Sequence, residues 1–272
     1  MKEIVVHSFE ELQDIIFADC YDEKTMRYRN NYVYRGVGCA TFGLISTLNR
    51  ICSHELSLEK AILRSFAKYG YADIHQISSF WQLVAMGQHH GLPTRLLDWT
   101  YSPLVAAHFA TEDISIYHED GAIYCFDLSE VGDQLPASLR QAMIKNDTEV
   151  FTIAMLDAQI HDFDDMQKLQ QKPYFLFYEP ASGNDRIANQ YALFGVCSDP
   201  HYSLEELMNR KEMHSLYKIV IPKEVKLEIR DKLDYINVSE RLIYPGLDGI
   251  CRWITRRYAD LGPRYGHHET SD

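Results

Sequence analysis

The order of helical and extended patterns along the chain is the feature that most constrains its fold. Apolar residues at helical spacing come early, at residues 56–66 and 80–89, whereas most β-prone runs come late. The regular alternation of strands and helices that is typical of parallel α/β folds is missing from this order. The sequence therefore predicts an α+β fold with a mixed or mainly antiparallel sheet.

Local patterns place the individual elements. Ser8 and Glu11 have the spacing of a capping box, which predicts a helix over residues 8–18. Further helices are predicted at residues 56–66, 80–89, 103–110, 224–233 and 250–258. Strands are predicted at residues 32–34, 94–100, 121–128, 174–178, 191–196 and 217–221. The polar middle of the chain, residues 131–172, is predicted to be helical.

The chain is long enough for a large core, and nothing in its composition divides it. It has 272 residues, of which 46% are hydrophobic. No low-complexity tract, internal repeat or linker rich in Pro, Gly and Ser interrupts the sequence. We therefore expect one domain over residues 1–272.

Charge and cysteine usage restrict the environment and the partners. The formal net charge of −12 disfavours generic binding to the phosphate backbone of nucleic acids. The six cysteines form no CxxC pair, so a zinc ribbon is not expected. The sequence shows neither a secretion signal nor an apolar run of membrane-spanning length. These observations predict a cytoplasmic protein with reduced thiols and without a membrane partner.

The densest group of polar and aromatic side chains is the block QHHGLPTRLLDWT at residues 88–100. Polar side chains are costly to bury without partners, so these either satisfy one another or line a pocket. Arg95 and Asp98 could form a structural pair beside a core Trp99, or they could contact a ligand. The sequence alone leaves both readings open.

Three other positions have two readings each. Arg35 follows a β-prone run and precedes Gly36, so its guanidinium could bind a phosphate or carboxylate, or pair with an acidic residue. Adjacent histidines on a helix point in different directions, so His89 is expected to cap the helix or contact a ligand rather than bind a metal. Glu179 is either a general base or an exposed loop carboxylate.

Several motifs together resemble the FRG domain family. Residues 34–36, Tyr-Arg-Gly, resemble the aromatic-Arg-Gly motif that names the family. Residues 88–100 look like its most distinctive block, and residues 102–110 continue it. Weaker similarities lie at residues 44–50 and 244–249 and at Arg186, Ile187, Gln190 and Phe194. The resemblance implies a core over about residues 32–253, preceded by the helix at residues 8–18.

A second set of motifs resembles the ADP-ribosyltransferases. These enzymes carry an aromatic-Arg-Gly strand, a Ser-Thr-Ser-like strand before a helix of small residues, and a strand with a catalytic Glu or Gln. The corresponding segments are residues 34–36, 98–110 and 189–196. The serines of the second element are absent, and Gln190 stands where a glutamate is usual. This resemblance implies a split sheet, a nucleotide cleft and NAD as substrate.

The same resemblance implies roles for individual residues. The implied cofactor contacts are Arg35, Gly36, His89 and Arg95. The implied catalytic residues are Gln190, Asp98 and Thr100. Arg35 would hold the pyrophosphate, and Asp98 and Thr100 would orient the nicotinamide ribose.

Two functions are compatible with these motifs. In the first, the protein binds NAD and either transfers ADP-ribose to an unidentified acceptor, protein or nucleic acid, or hydrolyses the glycosidic bond. In the second, it is a non-catalytic recognition module for a nucleotide-like ligand or a protein partner. The retained arginine favours the first, and the missing glutamate favours the second.

Three structural expectations accompany these functions. Arg35 and the block at residues 88–100 should face one cleft. Trp99 and Phe109 should lie in the core rather than against a ligand. If the cleft is of the transferase type, Gln190→Glu should raise or create NAD glycohydrolase activity.

Overall fold

An eight-stranded mixed sheet organises the fold, as the α+β prediction requires. The structure is a computed structural model that describes residues 1–259, except residues 19, 24, 53, 54, 182, 184 and 211–215. The strands are β1 (Lys2–Val5), β2 (Tyr21–Asp22), β3 (Arg27–Tyr28), β4 (Tyr32–Val37), β5 (Leu96–Thr100), β6 (Gly121–Asp127), β7 (Phe151–Thr152), β8 (Phe175–Glu179), β9 (Ala192–Cys197) and β10 (Tyr217–Ile221).

Helices cover the sheet and connect most of its strands. They are α1 (Phe9–Phe17), α2 (Thr47–Ile51), α3 (Leu58–Tyr69), α4 (Tyr71–Ile74), α5 (Phe80–His89), α6 (Pro103–Thr111), α7 (Ala137–Asn146), α8 (Ile153–Asp157), α9 (Phe163–Lys168), α10 (Asp185–Asn189), α11 (Leu204–Arg210), α12 (Lys223–Tyr235), α13 (Glu240–Ile243) and α14 (Leu247–Arg257). Short 3₁₀ turns lie at Ile114–Ile116, Leu128–Glu130 and Gly132–Gln134.

The strand order in the sheet is β1-β10-β6-β4-β5-β9-β8-β7. The inner neighbours are antiparallel. The outermost pairs, β1 with β10 and β7 with β8, are parallel. The sheet is therefore mainly antiparallel with parallel edges, and β2 and β3 form a separate two-stranded ladder.

The sheet is almost divided at its centre. In the described part of the chain, β4 and β5 pair at the single position Tyr34↔Thr100. By contrast, β4 pairs with β6 along all of Tyr32–Val37, and β5 pairs with β9 along all of Leu96–Thr100. We call the junction of β4 and β5 the seam. It separates two four-stranded halves, although one residue pair still joins them.

Helix α6 packs directly on the strand that borders the seam. A Cβ atom built on Gly36 would lie 1.9 Å from the Ala106 carbonyl oxygen and 2.8 Å from the Ala110 amide nitrogen. Only glycine allows this approach of the helix backbone to β4. Gly36 therefore fixes the position of α6 relative to the seam.

Of the two aromatic residues expected in the core, one is there and the other is not. Trp99 is 2% exposed and packs edge-to-face on Phe177, so its position in the core is confirmed. Phe109 is only half-buried, so its assignment to the core is wrong. Ala106 and Ala110, four positions apart on α6, occupy the buried face of the helix and leave Phe109 at its border.

Two general findings complete the description of the fold. All six cysteines are free thiols. No helix in the described residues combines the length and apolar character needed to cross a membrane.

Candidate functional site

A cleft of about 300 Å³ opens at the seam. It is bordered by β4, the end of α5, β5, α6, α10, the start of β9 and the residue that follows α13. The lining residues are Tyr34, Arg35, Gly36, Gln88, His89, Asp98, Trp99, Thr100, Phe109, Glu112, Arg186, Ile187, Gln190, Ala192, Phe194 and Tyr244. Arg35 and the block at residues 88–100 thus share one cleft, which confirms that expectation.

Arg35 bridges the seam with its side chain. Its Nη1 donates a hydrogen bond to the Asp98 carbonyl oxygen at 2.6 Å and lies 3.8 Å from the Asp98 carboxylate. The guanidinium thus supplies a contact where the two strands no longer pair. Its Nε is buried and has no hydrogen-bond partner among the described residues. Burial lowers the pKa of Arg35, and the Asp98 carboxylate opposes that shift.

Asp98 is held in place from α5. The Gln88 side-chain amide donates to both carboxylate oxygens, at 3.1 and 2.9 Å, while its own oxygen accepts from the Thr94 hydroxyl at 2.6 Å. The Asp98 side chain is nevertheless 59% exposed. A fixed and accessible carboxylate of this kind can accept hydrogen bonds from a ligand's hydroxyl groups.

Thr100 and Gln190 are joined at the far side of the seam. The Thr100 hydroxyl donates to the Gln190 carbonyl oxygen at 2.6 Å. Gln190 follows α10 and precedes β9, and its side-chain amide donates to the Ile243 carbonyl oxygen at 3.1 Å. Both residues line the cleft, but the Gln190 amide group also anchors the segment that leads to Tyr244.

His89 lies at the end of α5 beside Arg186. Burial lowers its pKa below the ordinary value, and the positive charges of Arg186 and His90 lower it further. The imidazole is therefore neutral at pH 7. It can offer a ligand hydrogen bonds but not a positive charge.

Arg186 supplies a second guanidinium to the cleft. It stacks over the Tyr244 ring with its Cζ 5.0 Å from the ring centroid. Like Arg35, it has a buried Nε for which the described residues provide no hydrogen-bond partner. In the sequence, Arg186 and the segment of Tyr244 belong only to a family resemblance, which implies no role for them.

Glu112 is a cleft residue that the sequence analysis missed. It follows α6, and its carboxylate oxygens accept from the Tyr244 hydroxyl at 3.0 and 2.9 Å. His108, one turn earlier, contacts the same carboxylate at 3.1 Å. The spacing of His108 and Glu112 is the only sequence signal that could have linked them.

Arg95 lies outside the cleft. Its Nε donates to Glu59 at 2.7 Å, its Nη1 donates to the Ser198 carbonyl oxygen at 3.1 Å, and its guanidinium stacks 3.8 Å from the Phe163 ring centroid. The considered pairing with Asp98 is therefore wrong. Successive side chains of a strand alternate between faces, so two residues three positions apart point in opposite directions.

The other predicted contacts are distributed as follows. Gly36 lines the cleft, but its missing side chain serves the packing of α6. Glu179 lies outside the cleft and accepts a hydrogen bond from Tyr101 at 2.8 Å. Among the described residues, no three His, Cys, Asp or Glu side chains are grouped as metal ligands would be.

Comparison with known proteins gives one match. The family model of the FRG domain matches residues 30–119, which include Arg35, the block at residues 88–100 and Glu112. No curated protein and no solved structure matches the chain. The part of the chain that resembles the FRG domain family therefore includes the seam and one side of the cleft.

Proposed function

We propose that the cleft binds NAD and breaks the bond between nicotinamide and ribose, passing ADP-ribose to an acceptor or to water. The observation that carries this proposal is the pair of cleft arginines, Arg35 and Arg186, whose buried Nε atoms lack a hydrogen-bond partner in the described part of the chain. The order of the strand and helix motifs, which resembles that of ADP-ribosyltransferases, supports the choice of NAD.

The unused arginine donors favour an anionic ligand. A buried donor without an acceptor destabilises the free protein by about 1–3 kcal/mol, and more for a charged group. A pyrophosphate has oxygens in the geometry that a guanidinium binds best, through two parallel hydrogen bonds. A ligand with two phosphates would therefore suit a cleft that is lined by both guanidinium groups.

The size and lining of the cleft fit one half of a dinucleotide. Its volume of about 300 Å³ lies at the lower end of the range for small-molecule sites. Phe109 and Tyr244 line it beside the polar groups, and aromatic rings of this kind bind planar heterocycles by stacking. We assign the nicotinamide mononucleotide half to the cleft and the adenosine half to its rim.

The proposed ligand gives roles to Asp98 and Thr100 on β5 and to Gln190. The Asp98 carboxylate accepts hydrogen bonds from the ribose hydroxyls, and Thr100 holds the Gln190 backbone at the same end of the ligand. Gln190 stands in the position that corresponds to the catalytic glutamate of the transferases. It can donate and accept hydrogen bonds but cannot carry a negative charge.

A recognition module is the second candidate. The hydrogen bond from the Gln190 side-chain amide to the Ile243 carbonyl oxygen favours this candidate, because the side chain contacts the protein's own backbone and not only the ligand. In this reading the cleft binds a nucleotide-like ligand or a partner's anionic group without turnover. The acceptor in the first reading, protein or nucleic acid, is not assigned. For either reading, we place the protein in the cytoplasm, where its free thiols would stay reduced.

Titration calorimetry with NAD and a nicotinamide-release assay test the proposal. The wild type should bind NAD and release nicotinamide. Arg35→Gln and Arg186→Gln should each weaken binding at least about tenfold, because each removes a charge-assisted contact. Arg64→Gln, an exposed arginine on α3, is the matched control and should bind as the wild type does.

The possible results separate the candidates. Binding of NAD with no nicotinamide release would favour the recognition module. An absence of NAD binding by the folded wild type would reject the proposal.

A further inference from the structure

A buried chain of hydrogen bonds runs from α12 to the cleft and ends at Glu112. The His108 side chain is fully buried, with its Nδ1 against the Arg230 guanidinium and its Nε2 3.1 Å from Glu112 Oε2. On the cleft side, the Tyr244 hydroxyl reaches both oxygens of Glu112. Glu112 is therefore held from two directions, and its side chain is 25% exposed where it lines the cleft.

The partners of His108 fix its tautomer. A guanidinium can only donate hydrogen bonds, so Nδ1 must accept from Arg230 and cannot carry a proton. The proton therefore sits on Nε2, which donates to Glu112. Burial lowers the pKa of His108 against the opposing effect of the hydrogen bond to Glu112, and the positive charge of Arg230 lowers it further, so the ring is neutral.

Tyr244 is the second donor to Glu112. Burial and then the Glu112 carboxylate raise the pKa of its hydroxyl, which keeps its proton. The carboxylate thus accepts from Tyr244 and His108 together.

The Gln190 side chain is hydrogen-bonded to the backbone and not to Glu112. Its side-chain amide donates to the Ile243 carbonyl oxygen, and Ile243 immediately precedes Tyr244. Gln190 therefore positions the residue that in turn positions Glu112. A glutamate at position 190 would place its negative charge against that carbonyl oxygen.

We infer that Glu112, rather than Gln190, is the catalytic carboxylate of the cleft, an inference that rests on the proposed cleavage of NAD. The bond between ribose C1′ and nicotinamide N1 breaks, and nicotinamide leaves as a neutral molecule with the bonding electron pair. The negative charge of Glu112 stabilises the resulting ribosyl cation. A water oxygen then bonds to C1′, and Glu112 takes the proton that the water loses. The products are nicotinamide, ADP-ribose and one proton. Gln190, Tyr244 and His108 act as positioning residues.

Glu112→Gln is the central test, because it removes the charge and keeps the shape. We expect nicotinamide release to fall by about 100-fold or more, with NAD binding by calorimetry changed less than about threefold. The matched control is Glu179→Gln, since Glu179 also accepts from a tyrosine hydroxyl but lies outside the cleft. That variant should release nicotinamide at the wild-type rate.

Two further variants distinguish a catalytic role from a structural one. Tyr244→Phe leaves the carboxylate in place with one donor fewer, so kcat for nicotinamide release should fall while KM for NAD changes little. This variant carries the test if Glu112→Gln does not fold, because loss of a purely structural contact would not separate kcat from KM. Gln190→Glu should not raise the rate, whereas a catalytic position at residue 190 predicts that it would.

The outcomes separate this inference from the proposed function. Wild-type rates from Glu112→Gln, or a gain of activity from Gln190→Glu, would overturn the role of Glu112 and leave NAD cleavage intact. A folded wild type that binds NAD but releases no nicotinamide would overturn the cleavage itself and the role of Glu112 with it.

Discussion

The surroundings of Arg95 and the cleft around Arg35 differ in how fully their arginines are satisfied. Arg95 is 9% exposed in its side chain, pairs with Glu59, which is 2% exposed, and stacks on Phe163. Arg35 and Arg186 each retain a buried Nε without a partner in the described residues. The donors of Arg95 are used within the fold, whereas Arg35 and Arg186 line the cleft with a donor unused.

The largest effect is expected from Arg95→Met. The substitution leaves the buried Glu59 carboxylate with the backbone amide of residue 95 but without its charged partner, which should lower the free energy of unfolding by about 3–5 kcal/mol. Urea denaturation measures this loss. Arg64→Met on the exposed face of α3 is the control and should change the free energy by no more than about 0.5 kcal/mol. If Arg95→Met lowered the free energy of unfolding by less than about 1 kcal/mol, the contrast between Arg95 and the cleft arginines would be contradicted.

A smaller effect is expected from pH at the wall of the cleft. His108 has both ring nitrogens hydrogen-bonded, and burial, with Arg230, lowers its pKa in the folded state. In the unfolded chain its pKa is about 6.5, so the unfolded state binds more protons as the pH falls below that value. The free energy of unfolding should therefore fall with decreasing pH, by at most about 1.4 kcal/mol per pH unit for this one group.

The measurement is urea denaturation of the wild type and of His108→Gln between pH 7 and pH 5. The difference between the two slopes isolates His108 from the carboxyl groups, which titrate in both proteins. Equal slopes would show that His108 is not held neutral by its surroundings.

The smallest effect on stability is expected from Arg186→Gln. Its guanidinium stacks on Tyr244 at the surface of the cleft, so the free energy of unfolding should change by no more than about 1 kcal/mol. The variant removes a buried donor that has no partner in the described part of the chain. Thermal melts without NAD test this expectation, and a loss as large as that of Arg95→Met would show that Arg186 has a structural role.

Local sequence patterns predicted the helices and strands whose ends are marked by neighbouring residues. Helix α5 was predicted with the bounds observed, Phe80–His89, because Gly91 and Pro93 mark its end in the sequence. Strands β1 and β7 were missed. Each is an edge strand whose partner, β10 or β8, lies far along the chain, and neither carries the alternation that marks a half-buried strand.

The sequence also predicted part of the cleft, because several of its residues belong to short local motifs. Short motifs identified Arg35, Asp98, Thr100 and Gln190, and all four line it. Glu112 was not found because its role depends on Tyr244, which α13 brings to it from the other end of the chain. Alternation along β5 was the signal that could have separated Arg95 from Asp98 without a structure.

The seam places an unpaired strand edge inside a sheet. An unpaired strand edge can form hydrogen bonds with a strand of another chain, which leads to aggregation. Natural sheets protect such edges with charged side chains. At the seam that protection is the Arg35 guanidinium, which occupies the Asp98 carbonyl oxygen that an incoming strand would need. The side chain proposed to receive a pyrophosphate thus also occupies a backbone acceptor on the open edge of β5.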